Sequence, residues 1–199
     1  MSNRADIFDW SGGHPALDLV NTLDERPSDL PIETLVMYRD LVRFVELAGL
    51  VDRSTAAGLE KLSGHKCSDT LRRTRELREQ LHDVLQAMHS QRSIPTHDLD
   101  AISDAIQSAH ASRKLVALTS QNLAGYGWSD VGAPEIPLHA CAIAAEHLLV
   151  DIDRMMVRKC GASDCDVYFV DTSKSRHRQW CSMKGCGNRE KQRRRRSPT

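Results

Sequence analysis

The chain has 199 residues, which is long enough for one sizeable domain and a small appendage. Its residues are 40% hydrophobic, 27% charged and 5% aromatic, and this composition indicates a soluble protein rich in helix. The most apolar stretch, residues 141–150, is interrupted by Glu146 and His147, which excludes a membrane span. Residues 1–6 lack the charged start and apolar run of a secretory signal. We therefore expect a cytoplasmic protein with reduced thiols.

Charge is divided unevenly along the chain. Residues 1–150 carry 14 Lys and Arg against 21 Asp and Glu, a balance of −7, and residues 151–199 carry 13 against 6, a balance of +7. A basic end on an acidic body is typical of a protein that binds an anion, most often nucleic acid. An exposed basic tail without a partner gives the same pattern.

The first elements in chain order are a strand and two helices. Residues 7–10 predict a short strand. Pro15 suits the first position of a helix over residues 16–23. A second helix is expected to start at Pro31 and to stop at Gly49, because apolar residues recur at helical spacing between them.

The middle of the chain predicts three helices and a hairpin. A short helix is expected near residues 54–62, a long one from an N-cap at Ser68, and another from a cap at Thr96. The pattern then changes, and residues 115–119 and 125–128 predict the two strands of a hairpin.

A last helix is predicted from Pro137 through Met155, running straight into Cys160 without a flexible linker. The predicted fold is α+β and mainly α. It comprises a helical domain with minor strands over residues 1–154 and a zinc finger of treble-clef type over residues 155–199.

Four of the six cysteines lie in the last 40 residues: Cys160, Cys165, Cys181 and Cys186. They form two pairs with four residues inside each pair and fifteen between the pairs. Such pairs suit a tetrahedral Zn²⁺ site, and four thiolates leave no open position, so we expect one structural zinc ion. Its binding would supply about 10–16 kcal/mol of folding free energy. Two disulfides or four unrelated thiols are the alternatives.

The segment between the cysteine pairs predicts a second hairpin. Residues 167–170 form its first strand, residues 171–175 its turn and residues 176–180 its second strand. Asn188 then caps a helix that runs into four consecutive arginines. This order of knuckle, hairpin, cysteine pair and helix is that of a treble clef, with Phe169 and Trp180 expected in its small core.

The finger residues resemble a known bacterial family, the CGNR zinc finger, which is named for its last four motif residues. The motif positions present are Cys160, Cys165, Phe169, Asp171, Ser173, Arg178, Trp180, Met183, Cys186, Gly187, Asn188 and Arg189. Gln179 departs from the pattern, in which a second arginine often precedes the tryptophan, so a contact by that residue is in doubt.

The amino-terminal residues are similar to the ABATE domain that usually precedes this finger. The matching residues are those of Gly13-His14-Pro15-Ala16-Leu17-Asp18-Leu19-Val20-Asn21-Thr22, Tyr38-Arg39-Asp40-Leu41 and Ala48-Gly49-Leu50. The two resemblances imply a transcriptional regulator in which an ABATE domain binds an unknown small molecule and the zinc finger binds DNA.

DNA binding is the leading functional hypothesis. The candidate contacts are Arg176, Arg178, Arg189, Lys191, Arg193, Arg194, Arg195 and Arg196. Arginines there would pair with phosphates, and six such contacts would give a slope of log affinity against log salt of about −5. A protein-interaction module is the alternative. A nuclease of the HNH type is a more remote one, since His177 lies on the hairpin but no second histidine follows Cys186.

A polar cluster in the amino-terminal domain is the candidate effector site. Asp18, Asn21 and Thr22 share a polar helix face after a Gly-Gly loop, and His14 is the fourth candidate beside them. They predict either the lining of a small-molecule pocket or a buried hydrogen-bond network. The predicted last helix would transmit effector binding to the finger. The sequence leaves open the effector, the operator and the oligomeric state.

Overall fold

The fold is described by a computed structural model for residues 7–118, 123–153 and 156–196. Its helices are α1 (Pro15–Val20), α2 (Tyr38–Leu47), α3 (Arg53–Leu59), α4 (His65–His89), α5 (Thr96–Ala111), α6 (Ile136–Val150) and α7 (Asn188–Arg196). Its strands are β1 (Leu23–Asp24), β2 (Ile32–Glu33), β3 (Arg113–Leu118), β4 (Leu123–Trp128), β5 (Val157–Lys159) and β6 (Tyr168–Val170). They form three antiparallel pairs: β1 with β2, β3 with β4, and β5 with β6.

Two helices, α4 and α6, form the centre of the helical domain. One face of α4 is buried through Leu77, Leu81 and Leu85, which recur every four residues and so line a single stripe. Helix α6 is apolar around most of its circumference, and Cys141 and Ala145 on it are both almost fully buried. A helix of that composition belongs inside a core, and α1, α2, α4 and α5 all contact it.

The second predicted helix begins later than expected. Its start at Pro31 is wrong, because Ile32 and Glu33 pair with β1 and helix α2 starts only at Tyr38. The side chain of Asp40 accepts a hydrogen bond of 2.8 Å from the Met37 amide and so caps the helix there. The apolar residues between Pro31 and Tyr38 therefore lie outside the helix.

The predicted strand at residues 7–10 is also wrong. The segment is irregular, and its aromatic rings pack on α2 instead. The rings of Trp10 and Phe44 stack with centroids 5.5 Å apart, and Phe8 meets Phe44 edge to face at 5.5 Å. The apolar residues at alternate positions here pack in a cluster of aromatic rings and pair with no strand among the described residues.

The predicted hairpin after α5 is confirmed. Strands β3 and β4 pair over their whole length, from Arg113 opposite Trp128 to Leu118 opposite Leu123. The predicted residue Thr119 lies outside the described residues.

The predicted last helix ends earlier than expected. Helix α6 stops at Val150, so a continuous helix into Cys160 is wrong, and Met155 lies outside the described residues. Strand β5 precedes Cys160 instead and pairs with β6. The second strand predicted at residues 176–180 does not form; β5 takes its place as the partner of β6.

Strand β6 belongs to two hydrophobic clusters at once. Tyr168 and Val170 pack in the core of the helical domain, whereas Phe169 packs with Cys160, Cys181 and other finger residues. Side chains alternate between the two faces of a strand, so a strand that is buried on both sides reads as a continuous apolar run.

The α+β, mainly helical architecture with a carboxyl-terminal cysteine finger is therefore confirmed. The predicted domain boundary between residues 154 and 155 falls outside the described residues. No helix in the part of the chain that the structure describes is both long and apolar enough to cross a lipid bilayer.

Candidate metal centre and its basic surroundings

The four carboxyl-terminal cysteines meet at one point. Their sulfur atoms all lie within 4.8 Å of one another, with Cys165 Sγ 3.8 Å from Cys181 Sγ and Cys181 Sγ 3.4 Å from Cys186 Sγ. A zinc ion at about 2.3 Å from each sulfur places tetrahedral ligands about 3.8 Å apart. The thiols are free of disulfides, so the donor set fits one zinc ion with no position left for substrate.

Two backbone turns present the thiols. Cys160 follows β5 and its amide donates to the Val167 carbonyl, which closes a knuckle around Cys165. Cys181 lies just before a π-helical turn over Met183–Gly187, Cys186 lies within that turn, and the turn leads directly into α7. A Cβ atom on Gly187 would lie 2.9 Å from Met183 Sδ and 3.1 Å from the Trp180 ring, so a larger residue would require the Met183 side chain to move and would crowd the ring.

The four sulfur atoms lie so close together that, without a cation to balance their negative charge, the protonation of each thiol depends on its neighbours. The hydrogen bond with Cys160, together with burial, raises the pKa of the Cys165 thiol to about 12. A dication lets all four sulfurs become thiolates, and binding therefore releases protons. Zinc affinity must consequently fall as the pH falls.

Arg189, the last residue of the CGNR motif, lies against the metal centre. Its Nη2 is 3.1 Å from Cys186 Sγ and 3.0 Å from Asp164 Oδ1. A guanidinium at that distance offsets the negative charge of the ligand sulfur, and the Asp164 carboxylate orients it from the knuckle. This predicted DNA contact thus has a structural role beside the metal.

Arg178 is likewise occupied within the finger. Its guanidinium lies 4.2 Å above the centre of the Phe169 ring, and Nε donates to the Trp180 carbonyl at 2.9 Å. A second donor bonds the Cys181 carbonyl. The side chain therefore fixes the irregular segment that leads into the second cysteine pair.

The remaining predicted contacts are more exposed. Arg193 pairs with Asp164 and with Glu190, at 3.2 and 2.5 Å. Five other cations are exposed, and no acidic side chain among the described residues pairs with them: Arg176, Lys191, Arg194, Arg195 and Arg196. Four of these five lie on α7, so the uncompensated positive charge concentrates on the helix that begins beside the metal centre.

The predicted effector residues at the start of α1 are partly engaged with backbone. His14 caps α1, accepting a hydrogen bond from the Ala16 amide through Nδ1 at 3.2 Å. Asp18 is buried and accepts from the Gly12 amide at 2.9 Å; burial raises the pKa of its carboxyl to about 7. A Cβ on Gly12 would lie 2.6 Å from Asp18 Oδ1, which explains the glycine.

Asn21 joins the helical domain to the finger. Its Nδ2 donates to the Tyr168 carbonyl at 3.0 Å, and its Oδ1 accepts from the Tyr168 amide at 3.1 Å. Beside it the Val170 amide donates to the Gly12 carbonyl at 2.8 Å. The free edge of β6 is therefore satisfied by the amino-terminal segment, which gives Asn21 a structural role; its part in effector binding stays a prediction.

Thr22 belongs to a second network. Its hydroxyl donates to the Leu19 carbonyl at 2.6 Å and accepts from Arg78 at 3.2 Å. Arg78 is itself buried and donates twice to the Glu33 carboxylate, at 2.8 and 2.7 Å. These contacts form a hydrogen-bond network around Thr22, and the part of the cluster in effector binding stays a prediction.

Sequence reasoning missed a polar contact between the two parts. His82 on α4 lies 2.8 Å from Asp166 of the knuckle through Nε2, and Lys159 pairs with the same carboxylate. The His82 ring also meets the Tyr168 ring edge to face at 5.8 Å. No local pattern in the sequence links residues that lie 84 positions apart.

The fold and the centre define a two-part protein, a helical domain with a four-cysteine zinc finger packed on its side. Residues 13–152 match the ABATE family model, described as "Putative stress-induced transcription regulator", and residues 156–197 match the CGNR zinc finger model. The chain belongs to the ABATE family, since that match spans well over half of its length. No curated protein matches the chain in sequence.

Proposed function

We propose that this protein regulates transcription by binding DNA through α7 of its zinc finger, with a structural zinc ion that holds the helix in place. The observation that supports this most is the exposed, unpaired cationic surface of α7 described above. The free thiols of the finger suit a reducing compartment, so we place the protein in the cytoplasm.

The geometry divides the eight predicted DNA contacts into two groups. Arg178 and Arg189 bind within the finger, and Arg193 is partly neutralised by Asp164. Phosphate contacts are therefore assigned to Arg176, Lys191, Arg194, Arg195 and Arg196. Such contacts position a protein on DNA and make binding depend on salt, whereas base contacts specify sequence.

The test compares two triple variants on random duplex DNA over a range of salt concentrations. Replacing Arg194, Arg195 and Arg196 by Gln should reduce the slope of log affinity against log salt by about 2.7, since each phosphate contact contributes about 0.9. The matched control replaces three exposed arginines of the helical domain by Gln: Arg39, Arg53 and Arg72. It should keep the slope of the unmodified protein.

Absence of salt-dependent DNA binding by the zinc-loaded protein would contradict the proposal. The finger would then be better described as a protein-interaction module, because a basic surface also suits an acidic protein partner. An equal loss of slope in both triple variants would place the DNA contacts outside α7.

We infer a regulatory role and no catalytic one. In the remote nuclease alternative, Asp171 would join His177 at a second metal. The Asp171 carboxylate, however, accepts hydrogen bonds from Ser173 and from the Arg178 amide, and its role in turning the chain accounts for its burial. Nicking of plasmid by the pure protein with Mg²⁺ or Mn²⁺ would overturn this inference.

We further propose that the helical domain senses a small-molecule effector. Communication with the finger would pass through the Asn21–Tyr168 and His82–Asp166 contacts, because these join the two parts directly. Helix α6 ends before the finger and is not the connection.

A further inference from the structure

A groove lies between the carboxyl-terminal end of α4 and strand β5 of the finger, and it encloses about 580 Å³. Its apolar wall consists of Leu85 and Met88 on α4 and Val157 on β5. Volumes of this size are typical of pockets for small organic molecules. Because one wall belongs to each part of the protein, an occupant would contact both parts.

Two buried polar atoms of the groove residues have no hydrogen-bond partner within the described part of the chain. They are the hydroxyl of Tyr168 and Nε of Arg158. Tyr168 is 1% exposed, so bulk water does not reach its hydroxyl group. Buried donors are nearly always paired in folded proteins, so both atoms would gain a partner if their side chains turned toward an acceptor in the groove.

The charge of the groove identifies the acceptor as an anion. Arg92 and Arg158 both line it, together with His89, and none of the described lining residues is acidic. A second cleft, beside the metal centre, has the opposite character, with Asp24, Glu25 and other carboxylates in its wall. Cationic groups above an apolar floor suit a molecule with a carboxylate at one end and a hydrocarbon body at the other.

We propose that this groove binds a small organic carboxylate, with its hydrocarbon body on Leu85, Met88 and Val157 and its carboxylate between Arg92 and Arg158. The Tyr168 hydroxyl supplies a further donor at the wall. The same residue bonds Asn21 through its backbone, so an occupied groove stabilises the packing of the finger on the helical domain. That regulatory consequence depends on the DNA-binding function proposed above, whereas occupation of the groove does not.

The test titrates full-length, zinc-loaded protein with octanoate and, as an uncharged probe of equal length, octan-1-ol, following amide chemical shifts. Octanoate should cause saturable shifts in residues 85–92, 157–158 and 168, and octan-1-ol should bind at least tenfold more weakly. Arg92→Gln and Arg158→Gln should each weaken octanoate binding about tenfold. Arg43→Gln, on the distant helix α2, is the control and should leave it unchanged.

Tyr168→Phe separates a ligand contact from a structural one. Because the hydroxyl has no partner to lose, the variant should keep the melting temperature of the ligand-free protein, yet bind octanoate several-fold more weakly. Equal binding of octanoate and octan-1-ol, equal binding of inorganic phosphate, or full binding by both arginine variants would overturn the proposal. DNA binding measured without octanoate tests the proposed function separately, so either can fail alone.

Discussion

The helical domain and the zinc finger are stabilised by different means. Among the described residues, the core of the helical domain unites 32 buried apolar side chains, whereas the finger has a buried cluster of six, of which Cys160, Cys181 and Cys186 are themselves metal ligands. Burial of that size supports the domain without help, but the finger has almost no core apart from its centre. The finger therefore depends on its metal and on its contact with the domain.

That contact is unusual in using one strand for both parts. Tyr168 and Val170 contribute to the large core, and Phe169 between them contributes to the small one. The finger consequently gains hydrophobic anchorage that its own length cannot supply. The comparison teaches that the two parts fold as neighbours with a shared strand, and the following predictions separate their contributions.

Removal of the metal should have the largest effect. Chelation of the wild-type protein removes a contribution on the order of 10–16 kcal/mol, and Cys181→Ser weakens zinc binding by removing one of the four ligands, so the finger should unfold in both cases. The helical domain should keep most of its helicity, because its core lies mainly outside the finger. Amide hydrogen exchange of α7 and of α4 measures the two parts separately.

The control is Cys141→Ser, which alters a buried thiol of the large core that lies outside the metal cluster. It should lower the stability of the helical domain while zinc remains bound in a ratio of one. If the Cys181→Ser protein keeps protected amides in α7, the dependence of the finger on zinc is refuted.

The sequence was most informative where the determining contacts are local. The cysteine spacing, the long helix α4 and the β3–β4 hairpin follow from residues close together in the chain, and all three were predicted. Strand β5 and the position of Asn21 were not, because β5 depends on pairing with β6 and Asn21 bonds a residue 147 positions away. Arg178 and Arg189 were assigned to DNA for a similar reason: charge is visible in a sequence, but partners such as Phe169 and Cys186 are not.

Loss of the Asn21 side chain should have the next largest effect. Asn21→Ala leaves the Tyr168 amide and carbonyl buried without their partner, at a cost of about 2–4 kcal/mol for two hydrogen bonds. The helical domain and the finger should then unfold in separate transitions in urea, followed by helicity for the domain and by the amide chemical shifts of α7 for the finger. Gln107→Ala, at an exposed position on α5, is the control and should keep a single transition; a single transition in both variants would mean that Asn21 does not join the parts.

The smallest effect concerns Asp18, and here the substitution should stabilise. Burial raises the pKa of its carboxyl to about 7, against 3.8 for an ordinary aspartate, so the folded state binds a proton that the unfolded state releases. Stability of the wild-type protein therefore falls as the pH rises from about 4 to about 7. Asp18→Asn keeps an acceptor for the Gly12 amide and removes the buried charge.

Above pH 7 the free energy of unfolding of the Asp18→Asn protein should exceed that of the wild type by about 1–2 kcal/mol. This is less than the full pKa difference implies, because solvent partly screens the carboxylate. The difference should shrink toward zero near pH 4. Urea unfolding at pH 5 and pH 8 measures it, with Asp104→Asn as an exposed control that should show no such pH dependence. An Asp18→Asn protein less stable than wild type at pH 8 would mean that the ionised carboxylate has a cationic partner. The Asp18 carboxylate would then stabilise the folded protein as one half of a buried ion pair.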